Sequence, residues 1–108
     1  MKSYKPQKIE DLLFVIRKCI ANGNYRETFH AQLRKNQRGI ILTDILHVLN
    51  TGRNEKSKDK FDDVFKTWNY AIIGNSTTGF KMRVIVSFDD EKKLLILTAF
   101  YLEKEGDL

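Results

Sequence analysis

Apolar residues recur at helical spacing over the first fifth of the chain. Ile9, Leu12, Leu13, Ile16 and Ile20 fall at i, i+3, i+4, i+7 and i+11, with Glu10, Asp11, Arg17 and Lys18 mostly opposite, which predicts an amphipathic helix over 8–21. Asn22-Gly23 ends it, the glycine supplying a left-handed residue. A shorter, more polar helix follows, from Tyr25 or Thr28 to Arg38, capped by Asn24 or Thr28 and closed by Gly39, with Phe29 and Leu33 as its apolar pair. Ile40 to Thr51 reads as a third helix, with Asp44 near its positive end and Ile45, Leu46, Val48 and Leu49 as apolar surface.

After Gly52 the period changes. Arg53 to Lys60 holds no hydrophobic residue and reads as a solvated loop. Trp68, Tyr70 and Ile72 then alternate with their neighbours, as do Met82, Val84, Val86 and Phe88, and the turn formers Asn75 to Gly79 join the two runs into a hairpin. Leu94 to Leu102 is apolar at nearly every position, the pattern of a central strand or of one packed directly under helices. Phe61 to Phe65 is a candidate for a shorter strand, weakened by Asp62 and Asp63. Helices followed by an antiparallel meander give a single two-layer α+β domain over 1–108. Its N-terminal helices should pack on one face of a three- to four-stranded sheet, leaving the other face free for a ligand.

Composition narrows the function classes. With 42% apolar and 31% charged residues the chain is neither disordered nor membrane-spanning. Met1 to Pro6 opens no apolar leader, so the expected compartment is the cytoplasm. Cys19 is the single cysteine and falls in the first apolar stripe, where it reads as core. With only His30 and His47 beside it, no metal-ligand set and no cofactor site is legible.

Charge is more informative when divided along the chain. Residues 1–60 hold 13 Lys/Arg and 6 Asp/Glu (+7), residues 61–108 hold 6 and 8 (−2), and the sum is the net +5. A concentrated basic surface recruits polyanions by releasing their counterions. Part of the excess is ordered: His30, Arg34 and Arg38 recur at i, i+4 and i+8, an imidazole and two guanidinium groups on one helix face without a carboxylate. Such a stripe repels itself and suits an anion.

The family resemblance carried by residues 28–40 implies metal-free RNA cleavage, which needs a base for the 2′-OH proton, an acid for the leaving oxygen and cations for the charged phosphate. His30 can serve as acid or base, since histidine titrates near neutrality. Arg34 and Arg38 can hold phosphate, and Arg83, on a strand, can close a clamp by binding two phosphate oxygens. Tyr101 can donate a phenolic proton, and Tyr70, Tyr101 and Trp68 can stack on bases. Lys35, Lys56, Lys58 and Lys81 complete the RNA-binding set. Each residue also has a structural reading: a backbone hydrogen bond for His30, carboxylate partners for the arginines, sheet packing for the aromatics. His47, among apolar neighbours, reads as structural.

The run Thr28-Phe29-His30-Ala31-Gln32-Leu33-Arg34-Lys35-Asn36-Gln37-Arg38-Gly39-Ile40, followed by Asp44-Ile45, Val48-Leu49 and Gly52, resembles an uncharacterised RelE-like family of the RelE/ParE toxin clan. Tyr70 to Gly74, Arg83 to Val86 and Leu97 to Tyr101 match its later blocks in order. The long first helix is similar to the MqsR branch, and BrnT toxins are more distantly alike. The resemblance implies a RelE-like fold and the toxin of a type II toxin–antitoxin pair, an mRNA interferase that cuts RNA without metal, free or on the ribosome. It further implies a small acidic antitoxin as partner. Two other readings stand beside it: a non-catalytic module binding RNA, DNA or an antitoxin, and a gyrase-poisoning toxin of the ParE kind.

Overall fold

The computed structural model describes residues 5–102; Met1 to Tyr4, within the stretch read for a leader, lie outside it. The first helix, α1 (Leu12–Ala21), turns Leu12, Ile16 and Cys19 inward, so Cys19 is core. It starts four residues later than the periodicity predicts because residues 6–9 are held elsewhere. The Trp68 indole donates to the Pro6 carbonyl at 2.8 Å, Lys8 Nζ reaches Asp59 at 3.1 Å, and the Ile9 amide donates to Tyr70 Oη at 3.0 Å. The segment is a strap.

Tyr25–Glu27 is a strand, β1, and not the start of the second helix. It pairs in parallel with residues 94–96, 69 positions away, and that tertiary ladder overrides local helix propensity. Thr28 is therefore the cap: its Oγ1 accepts the Ala31 amide at 3.1 Å and opens α2 (Phe29–Arg38). Gly39, at φ 67°, closes it in the left-handed region. Phe29 and Leu33, read as the helix's packing pair, instead point to solvent; Ala31 is the buried residue.

The third helix, α3 (Leu42–Thr51), buries Ile45, Val48 and Leu49 and is fixed at both ends. Asp44 accepts the Thr77 amide (2.9 Å) and hydroxyl (2.6 Å), tying the helix N-terminus to the hairpin turn. Arg17 of α1 donates to the Leu49 and Gly52 carbonyls at 3.2 and 2.8 Å, placing a cation at the negative helix end.

The polar stretch after Gly52 is not a loop. It contains β2 (Arg53–Asn54), a 3₁₀ turn (Lys56–Lys58) and the start of β3 (Lys60–Asp62), because β4 (Thr67–Asn75) offers its free edge to both segments. Polar residues suffice for edge strands, whose side chains stay wet. With β5 (Lys81–Phe88) and β6 (Leu94–Tyr101) the sheet has six strands, more than the three or four expected, in the order β1-β6-β5-β4-β2, with β3 beside β2 on β4. The hairpin is β4–β5, as the alternation predicts.

Strand register decides which residue lies on which face. Tyr70, Ile72, Met82, Val84, Val86, Leu94, Ile96 and Ala99 share the inner face with α1, α3 and Ala31, each fully buried aliphatic side chain stabilising by roughly 1.5–3 kcal/mol. Near its middle β6 slips: Ile85 pairs with Thr98 but Val86 with Ile96, leaving Leu97 as an extra residue. The bulge reverses the parity of everything after it. Ala71, Ile73, Arg83, Ile85, Thr98 and Phe100 thus occupy the outer face, outside the core cluster that the helices share with the inner face. The two-layer α+β architecture stands, and no described helix is long and apolar enough to cross a membrane.

Candidate nucleic-acid interface

Consecutive pairings lay a row of side chains straight across the outer face. Arg53 on β2 lies opposite Ile73, Ile73 opposite Arg83, and Arg83 opposite Phe100. Directly paired residues of antiparallel strands share a face with strands about 4.8 Å apart, so the row is continuous. Lys81, two residues before Arg83, is on the same face.

Arg38 extends the row from α2. Its guanidinium reaches round the edge of β6, donating to the Ala99 carbonyl at 2.8 Å and Thr98 Oγ1 at 3.2 Å. This satisfies a strand edge that β1 leaves uncovered beyond Ile96. Arg38 and Arg83 each bring a guanidinium carbon to 5.7 Å from the Phe100 ring centre. His30 and Arg34 lie two and one turns earlier on the same flank, both exposed, so the stripe runs for roughly 12 Å along the rim and ends at Phe100.

One carboxylate enters the row. Glu55 Oε1 accepts Arg83 Nε at 2.7 Å, with both side chains about four-fifths buried. That hydrogen bond first, and the charges of Arg83, Lys58 and Arg53 after it, hold the Glu55 carboxyl below the usual carboxylate range against the opposing effect of burial.

The structure places His30, Arg34 and Arg38 on one flank of α2, brings Arg38 beside Arg83 at Phe100 with Lys81 on the same strand face, and corrects other assignments. Tyr70 is 3% exposed on the inner face, its hydroxyl held by the Ile9 amide and its ionisation pushed up by burial, so it cannot stack on RNA. Lys35 is paired with Glu27 at 2.9 Å on the side of α2 facing β1, away from the stripe. Tyr101 pairs across from Met82, which puts it on the opposite face from Arg83, where it meets Phe80 edge-on. Lys56 borders a groove with Lys8 and Phe14 beside α1, and Lys58 is on the neighbouring exposed 3₁₀ turn; neither belongs to the row. Trp68 packs against Phe61 under Lys8.

Two residues escape sequence reading. Phe100 takes the place expected of Tyr101, because the Leu97 bulge shifts parity by one. Arg53 joins the row through a two-residue strand with no hydrophobic signature. Among the described residues no cluster of His, Cys, Asp or Glu could hold a metal ion.

Residues 27–101, from β1 to the end of β6, match a domain family of unknown function (DUF4258). The chain belongs to that family. The matched region contains the whole of α2, the row on the outer face and the Leu97 bulge, whereas the strap and α1 precede it. No curated protein and no solved structure gives a significant match.

Proposed function

We propose that the protein is an RNA-cleaving toxin component that binds the RNA backbone along the outer face of its sheet. The observation that carries the reading is the convergence of Arg38 and Arg83 on Phe100 at the end of a stripe that begins with His30. Guanidinium groups bind phosphate oxygens in pairs, and an aromatic ring between them offers a base a stacking surface. Their arrangement in a row matches a polyanion better than a small anion. The RelE-like resemblance of the same residues supports RNA as that polyanion.

In this mechanism His30 takes the proton of a ribose 2′-OH as the 2′-oxygen bonds to the adjacent phosphorus. The bond from phosphorus to the 5′-oxygen breaks, water protonates that oxygen, and Arg34, one turn from His30, neutralises the charge on the pentacoordinate phosphate while Arg38 holds the neighbouring stretch of backbone. The products are a 2′,3′-cyclic phosphate and a 5′-hydroxyl. Cytoplasmic action and neutralisation by a small acidic antitoxin, whose charge complements the basic row, belong to the same proposal.

One observation favours a second reading, binding without cleavage. Among the described residues nothing hydrogen-bonds the His30 imidazole, and Tyr101 is turned to the other face. Incubating the protein with RNA, and with translating ribosomes, in the presence of a chelator separates the two. Cyclic-phosphate ends that disappear in a folded His30→Ala variant bear out cleavage; salt-sensitive binding with no cut product in either setting leaves the binding module; intact RNA with neither contradicts both.

A further inference from the structure

The outer face does not end at the row. Beyond the Leu97 bulge, toward the β5–β6 turn, lies a groove of about 430 Å³ floored by Leu95 and Leu97 and walled by Phe65 on one side and Arg26 on the other. Phe65 is 76% exposed, a large apolar ring standing in water. It is held there by its own turn: Asp62 Oδ1 accepts the Val64 and Phe65 amides at 2.9 and 3.0 Å, and Lys66 adopts a left-handed φ of 57°. A rigid turn that holds an aromatic beside an apolar floor forms a slot for a flat ligand.

The charge at this end is opposite to that of the row. Asp62, Asp89 and Asp90 border the groove, and Asp89, like Asp62, spends Oδ1 on amides of its own turn, those of Glu91 and Lys93 at 2.9 Å. Among the described residues no protein donor reaches Oδ2 of Asp62 or Asp89. Carboxylates repel a phosphate and accept hydrogen bonds from N–H groups. The groove is thus unsuited to the RNA backbone and suited to a base with a donor edge.

We infer that this groove is a base-recognition pocket that takes one nucleobase of the RNA held by the row, stacked on Phe65, and prefers guanine, whose N1–H and N2–H₂ donors lie side by side for a carboxylate. The inference rests on the proposed RNA binding and names its specificity. Phe100 and Leu97 are three residues apart on one strand, roughly 10 Å, which spans about three stacked nucleotides. One strand of RNA can therefore reach both sites.

The test uses short fluorescein-labelled single-stranded RNAs of equal length, all-uridine, with one guanosine, and wholly abasic, titrated against the full chain by fluorescence anisotropy. The wild type should bind the guanosine RNA about tenfold tighter than the abasic one, with uridine between. Phe65→Ala should lose the guanosine-over-uridine preference and keep only the smaller advantage over abasic RNA that stacking on Phe100 gives, with an unchanged salt slope, and Asp90→Asn should narrow the guanosine-over-uridine preference. Equal wild-type affinity for the guanosine and abasic RNAs, or a Phe65→Ala protein that discriminates like the wild type, overturns the pocket and leaves backbone binding standing. Absence of wild-type binding to all three overturns both.

Discussion

Glu55 holds Arg83 at 2.7 Å on the outer face of the sheet, in the middle of the cationic row. A phosphate approaching Arg83 has to displace that carboxylate. Replacing it with an uncharged isostere removes that cost: Glu55→Gln should tighten single-stranded RNA binding several-fold with the log–log salt slope unchanged, because the number of phosphate contacts stays the same. Because both side chains of the pair are about four-fifths buried, the substitution should also cost roughly 1–3 kcal/mol of stability. Anisotropy titrations at several salt concentrations check the first outcome and thermal unfolding the second.

Acid should weaken the fold through two carboxylates. The Thr77 hydroxyl, then the Thr77 amide, holds Asp44 below the ordinary carboxylate range, and Arg83 does the same for Glu55. A group whose folded value is depressed contributes stability above its unfolded value and loses it as pH falls through the folded one. Tm should therefore be flat near neutrality and decline below about pH 5. Asp44→Asn should lower Tm at neutral pH, by a loss of roughly 1–3 kcal/mol, and flatten the acid decline.

Gly52 and Gly74 let α3 and β4 meet backbone to backbone. A Cβ on Gly52 would stand 2.7 Å from the Val48 carbonyl oxygen and closer still to that of Ile73, and one on Gly74 would be 3.0 Å from the Gly52 Cα. Gly52→Ala should cost several kcal/mol, or prevent folding, while Gly23→Ala, with nothing within 4 Å of its added carbon, should cost only the strain of its left-handed φ of 69°, about 1 kcal/mol. Denaturant unfolding of the two variants measures the contrast.

Tyr70 was a natural candidate for base stacking, and its burial predicts otherwise. Tyr70→Phe should leave RNA affinity unchanged and lower stability by about 1 kcal/mol, the net worth of the hydrogen bond from the Ile9 amide.

Much of this fold is legible in the chain because its signals are local. The stripe of Leu12, Ile16 and Cys19, the Thr28 cap, Gly39 and the alternation of residues 68–88 each carry their structure within a few positions. What escapes depends on distant partners. Tyr25 to Glu27 is a strand only because Leu94 to Ile96 lies beside it, and Arg53-Asn54 only because β4 has a free edge. The site divides the same way. His30, Arg34 and Arg38 follow from helical spacing, whereas Phe100 depends on a bulge that no composition marks, and the pairing of Lys35 with Glu27 depends on a strand that local propensity hides.

The salt dependence of RNA binding tests the central claim most directly. Titrating single-stranded RNA against the wild type and a folded Arg38→Gln/Arg83→Gln variant should give a log–log slope shallower by about 1.4 in the variant, two lost phosphate contacts, together with weaker binding at low salt. A variant with the affinity and slope of the wild type would contradict the assignment of the outer face as the RNA-binding surface.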